Sequence, residues 1–156
     1  MDTAPLSEIK KELKLLSPQQ LQEIITRLAR FKKENKELLS YLLFESFNQQ
    51  AFIQGVKQEI DLQFQQLNRS SYFLAKKTLR KTLRTTNKYI RFSGSKEVEL
   101  ELLIYFCLRM KNANLRINSN RVVQNIYQNQ VKRVKKIHSA LHEDLQSDFE
   151  EEINKL

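Results

Sequence analysis

With a single cysteine, Cys107, the chain forms no internal disulfide, and a cysteine-based zinc site lacks its ligands. A reducing compartment is expected. Two glycines and two prolines leave few positions suited to turns with positive φ. Leu, Lys, Gln, Glu and Arg are abundant instead, so helices with short polar connectors follow. The longest apolar run, Leu102 to Leu108, is too short to cross a bilayer. The opening Met1-Asp2-Thr3-Ala4-Pro5 lacks the basic and then apolar segments of a secretion signal, and the expected location is the cytoplasm.

What is present suffices for a core. The 156 residues are 40% hydrophobic and 29% charged, ordinary values for a globular chain. Folding at this length removes roughly 68 to 70% of the unfolded surface from water. No repeat, low-complexity tract or linker marks a second domain, so residues 1–156 are read as one all-α domain with an acidic C-terminal tail from about 143.

Apolar spacing and capping residues predict about seven amphipathic helices in antiparallel hairpins, packed as a bundle or a short solenoid. The first spans about Leu6 to Leu16. Ser17-Pro18-Gln19-Gln20 opens the second with a capping box, and Leu21, Ile24, Ile25, Leu28 and Phe31 form its apolar face. Asn35 is expected to cap a third helix carrying Leu38, Leu39, Leu42 and Phe47. After a bend around Asn48 to Ala51, a fourth carries Phe52, Val56, Ile60, Phe64 and Leu67. Tyr72, Ala75, Leu79, Leu83 and Ile90 line the fifth, and Ser93-Gly94-Ser95 is the clearest break. The sixth, from Val98 to Leu108, is apolar on more than one face and is expected at the centre. A last stretch, with Val123, Tyr127, Val131, Val134, Leu141, Leu145 and Phe149 on one face, runs toward the C-terminus with room for a break.

Charge is distributed unevenly. Residues 1 to 61 hold nine basic and nine acidic side chains, 62 to 142 hold seventeen and three, and 143 to 156 hold one and six. A partner meets this local potential rather than the net +9. On the fifth helix Lys77, Arg80, Lys81, Arg84, Lys88 and Arg91 recur at three and four residue spacing opposite the apolar line, and Lys132, Arg133, Lys135 and Lys136 form a second cluster. Such a face either solvates the helix or binds an anion, and nucleic acid is the commonest anion large enough to use it. The acidic tail is a candidate to fold back and screen it.

Other constellations have plainer readings. His138 and His142 stand four apart, the spacing for a shared metal, but no third ligand is indicated and the Glu of a zinc-protease motif is replaced by Ser139. Cys107 lies in an apolar run and is expected buried. Glu97 and Glu101, with Glu99 between them, are one turn apart and invite an acid/base reading, yet are better placed to pair with neighbouring cations. Tyr72, Phe73, Tyr89 and Phe92 flank the basic stripe and could stack exposed bases, but at this spacing most are expected in the core, and Phe73 and Phe92, off the main apolar line, are the two whose exposure decides.

The segments Leu13-Lys14-Leu15-Leu16-Ser17 with Leu21 and Ile25, Ala75-Lys76-Lys77-Thr78-Leu79-Arg80-Lys81, and Glu97-Val98-Glu99-Leu100 to Tyr105-Phe106 together resemble a family of small bacterial all-helical proteins of uncharacterised function, a domain of unknown function. The resemblance implies the fold and carries over no site residue. The leading expectation is a non-enzymatic helical interaction module that binds another protein or its own copy. The alternative is sequence-nonspecific nucleic-acid binding through the basic helix face, with an uncharacterised enzyme third. No cofactor or metal is expected, and no small-molecule ligand is indicated. An exposed apolar patch of more than a few hundred Å² would favour a protein partner, and a basic stripe continuous with the second cluster would favour nucleic acid.

Overall fold

A computed structural model describes residues 2–156. Among them are eight α-helices and no strand. The chain divides into two compact units, one ending at Phe44 and one running from Glu45 to Leu156, where the sequence reading has one domain.

The N-terminal unit contains α1 (Leu6–Leu13), α2 (Pro18–Phe31) and α3 (Lys33–Ser40). The Ser17 capping box forms as expected: Gln20 N–H donates to Ser17 Oγ at 3.3 Å and Ser17 N–H to Gln20 Oε1 at 2.9 Å. The expected Asn35 cap does not form. One extended residue, Lys32, joins α2 to α3, so the turn comes three residues earlier. Asn35 sits inside α3 and donates from Nδ2 to the Leu28 carbonyl at 2.9 Å, tying the two helices together. The third expected helix is also split: Tyr41–Glu45 is a π-helical segment, and Phe47 lies beyond it, exposed.

The C-terminal unit contains α4 (Gln49–Gln65), α5 (Tyr72–Ser93), α6 (Lys96–Lys111), α7 (Arg121–His138) and α8 (Glu143–Asn154). Asn48, Ser71, Ser95 and Asn120 each accept a backbone N–H and start α4, α5, α6 and α7. Gly94 takes the left-handed conformation, φ 62°, that ends α5. Asn112 to Asn120 holds a short 3₁₀ turn, Ile117–Ser119. The break allowed for in the last stretch is real. It falls between His138 and Glu143 and yields the eighth helix.

Side-chain bonds fix helix directions. Lys57 pairs with Glu101 and Asp61 accepts from Tyr105, so α4 and α6 run parallel in one register, 44 residues apart. Gln63 meets Thr85 and Tyr89 donates to Glu59, one partner rising as the other falls, so α5 is antiparallel to α4. The centre is α6, which packs on α4, α5, α7 and α8. Val98, Leu100, Leu102, Leu103, Ile104, Phe106, Cys107 and Met110 are buried around its circumference, as its unbroken apolar run required. Thr82 and Thr86 of α5 join this core. Each hydroxyl donates to the carbonyl four residues back, so a polar residue packs as an apolar one would.

Candidate functional site

α5 carries no acidic residue along its whole length. Ala75, Leu79, Thr82, Thr86 and Ile90 face the core, and Lys77, Arg80, Lys81 and Arg84 project from the opposite side, exposed. Among the described residues none of these four takes part in an ion pair. Lys88 is half-buried, its ammonium 4.6 Å from the Tyr89 ring centroid, and Arg91 is exposed.

The second cluster is divided. Lys132, Lys135 and Lys136 are exposed, whereas Arg133 turns inward. Its Nε donates to Glu99 Oε1 at 2.9 Å and its Nη1 to Asn87 Oδ1 at 2.7 Å, joining α7 to α6 and α5. Arg133, suggested by the sequence as a surface contact, is thus engaged in helix packing with its side chain 36% exposed. The Asn87 bond sets α7 beside the C-terminal half of α5. From Arg133, helical periodicity places Lys132 and Lys136 toward the solvent side of that junction and Lys135 farther round.

Three acids of this unit are engaged away from the outward face of α5. Glu99, 8% exposed, holds both Lys96 and Arg133, and Glu101 holds Lys57 at 2.7 Å. Asp61 accepts from Tyr105 at 2.7 Å and lies 2.8 Å from Arg109 Nε. Burial works against the Glu99 carboxylate, and the hydrogen bonds and charges of Lys96 and Arg133 outweigh it, holding its pKa below the usual range. Burial and the bond to Asp61 push the Tyr105 phenol up to about 12. Glu97 is exposed and separate, so the acid pair on α6 is not assembled.

The remaining candidates are placed as follows. Cys107 is fully buried, and burial raises its thiol to about 12. The break after α7 separates the histidines: His138 Nε2 lies 2.9 Å from the Gln146 carbonyl, and His142 accepts the Asp144 N–H as the cap of α8. Phe92 is buried edge-on against Tyr89, and Phe73 is 74% exposed. The acidic tail is α8, and it docks on α6 and α7. Tyr127 donates to the Leu156 carbonyl at 2.6 Å and Lys111 to that of Lys155 at 2.6 Å.

The N-terminal unit holds a feature that sequence reasoning missed. None of α1, α2 or α3 contains a buried residue. On α2 the stripe read as core-facing is open, with Ile24 and Ile25 exposed, Leu28 at 53% and Phe31 at 85%. Beside it Ile25, Leu28 and Ala29 of α2 face Leu38 and Leu39 of α3 across a groove of about 300 Å³. The sequence carried no signal for this, because α1 and α3, expected to run to Leu16 and Phe47, end at Leu13 and Ser40.

No helix among the described residues is long and apolar enough to cross a membrane. No family model, curated protein or solved structure matches the chain, so the geometry carries the reading.

Proposed function

We propose that the chain is a non-enzymatic helical interaction protein whose N-terminal unit pairs with the same unit of a second copy. The carrying observation is the open apolar stripe of α2, where Leu28 and Phe31 stand in water although their spacing is that of a core-facing helix. A unit of this size has little core of its own and takes its stability from a disulfide, a metal or association. The single cysteine belongs to the other unit, and the described residues contain no metal-binding group of His, Cys, Asp or Glu.

A second copy is the occupant that charge favours. The N-terminal unit carries eight basic and six acidic side chains, so two copies meet with little repulsion, whereas the rest of the chain carries nineteen and twelve. Each fully buried Ile, Leu or Phe contributes about 1.5–3 kcal/mol. Ile24, Ile25, Leu28 and Phe31 are 39 to 85% exposed, so covering them in both copies gains only part of that each, set against the roughly 4–15 kcal/mol that association costs. Most groups that suggested chemistry are engaged in the fold: Cys107 is sealed, Glu99 and Glu101 are ion-paired, and His142 caps α8, while Glu97 stands exposed and apart from them.

The test is sedimentation equilibrium of the full chain between about 1 and 100 µM, beside a Leu28→Lys, Phe31→Glu variant. Both positions are exposed, so the variant keeps its helix content by circular dichroism. The wild type is expected to dimerise and the variant to remain monomeric. A wild type that stays monomeric at the top concentration overturns the proposal, and so does a dimer that survives both substitutions.

A further inference from the structure

We propose that the outward face of α5, extended by Lys132 and Lys136 of α7, binds single-stranded nucleic acid, with phosphates on its cations and a base stacked on Phe73. Phe73, Lys77, Arg80 and Arg84 follow one another at four, three and four residues, so the exposed ring stands on the same line as the exposed cations. At 1.5 Å per residue that line is roughly 17 Å long, with Lys81 beside it. A strand laid along it meets a cation at each turn of the helix and a flat apolar ring at one end. These are the two components of sequence-tolerant single-strand recognition.

The second step is electrostatic. A face that only solvates a helix usually mixes both signs of charge, as the polar faces of α2 and α3 do here. α5 has cations alone. Of the nearby acids, Glu59 is bonded to Tyr89 and Glu99 to Lys96 and Arg133, Glu97 is exposed four residues beyond the end of α5, and none of Lys77, Arg80, Lys81 and Arg84 is ion-paired among the described residues. The potential of the face is therefore left for a ligand. Phe73 points the same way, because its ring is 74% exposed on the line of the cations and open for a base to stack on.

The third step is the junction with α7. Arg133 is held between Glu99 and Asn87, so it fixes the direction of α7 against α5 while Lys132 and Lys136 stay exposed at its edge. The basic surface thus widens toward the C-terminal half of α5. It gives six phosphate contacts: Lys77, Arg80, Lys81, Arg84, Lys132 and Lys136.

The experiment is fluorescence anisotropy of the full chain with labelled random single-stranded RNA and DNA of about 20 nucleotides, a duplex of equal length and vesicles of phosphatidylserine, over a salt series. Six contacts on a single strand give a log–log slope near −4, so affinity falls about 300-fold from 50 to 200 mM salt. Arg80→Gln with Arg84→Gln is expected to weaken binding and flatten the slope by about 1.4. Phe73→Ala is expected to weaken it about tenfold and leave the slope unchanged. Lys10→Gln with Lys11→Gln, on α1, serves as the control and changes neither. A single strand bound no more tightly than the duplex or the vesicles overturns the proposal, as does an unchanged affinity in the Phe73 or the arginine variant. The monomeric Leu28→Lys, Phe31→Glu chain is measured alongside. It keeps the same slope per chain, so this site and the pairing of N-terminal units stand or fall separately.

Discussion

Arg133 reaches from α7 to Glu99 on α6, and the carboxylate it meets is one of the few buried charges in the protein. Glu99 receives Lys96 from its own helix at 2.8 Å and Arg133 from its neighbour, so one acid fastens the most buried helix to the helix packed against it. The depressed pKa of Glu99 makes this junction sensitive to acid. A carboxylate whose folded pKa lies below its unfolded value contributes its full stabilisation above about pH 4.3 and loses it as pH falls through the folded value. In urea titrations at pH 7, Glu99→Gln is expected to lower stability by about 2 kcal/mol. The gap between wild type and variant is expected to narrow as pH drops below about 4, and a gap that stays constant to pH 2 would show that the ionised carboxylate is not what the arginine needs.

Neighbouring cations on α7 are expected to separate cleanly into two roles. Arg133→Gln leaves Glu99 short of a partner and is expected to cost about 2 kcal/mol in the unfolding free energy. Lys132→Gln alters an exposed side chain and is expected to stay within about 0.5 kcal/mol of wild type. Equal losses in the two variants would mean that Arg133 is as free as its neighbour.

Cys107 reports on the opening of the core. With its thiol raised to about 12 by burial, the thiolate is scarce at pH 8. Alkylation by iodoacetamide is expected to be slower by orders of magnitude in the native protein than in urea, because a thiol with no exposed surface reacts only when the core opens. Native labelling within tenfold of the unfolded rate would place the sulfur at the surface.

The two glycines are expected to respond to alanine with opposite signs. Gly55 lies inside α4, and a methyl group added at its Cα would meet nothing within 4 Å, so Gly55→Ala is expected to stabilise by about 0.5–1 kcal/mol. Gly94 holds φ 62° at the end of α5, and Gly94→Ala is expected to destabilise by about 1 kcal/mol. Thermal unfolding of both variants checks the pair, and two shifts of the same sign would contradict the backbone argument.

Much of the helical layout was legible because the relevant forces act within a few residues. The Ser17 box depends on side-chain and backbone groups three positions apart and the break at Ser93-Gly94-Ser95 on the backbone freedom of one glycine, and each formed where the sequence placed it. The Asn35 cap failed because Asn35 had a tertiary alternative, the Leu28 carbonyl across the α2 to α3 turn. Thr82 and Thr86 were missed for a similar reason. Their hydroxyls satisfy themselves on their own helix, which hides from composition the fact that they pack as core.

Of the candidate surface, the sequence determined that α5 has one apolar side and one cationic side, since helical period alone separates Leu79 from Arg80 and Arg84. It determined equally that α6 would be buried, because an apolar run with no polar face has nowhere else to go. Tertiary structure decided which charges are available. Arg133 and Lys132 are adjacent in sequence and chemically alike, and only the approach of Glu99 and Asn87 turns one inward and leaves the other in water. It also decided that the apolar stripe of α2 stays open. Periodicity fixes which side of a helix is apolar, but what covers that side depends on elements distant in sequence, and within its unit α2 has too few to cover it.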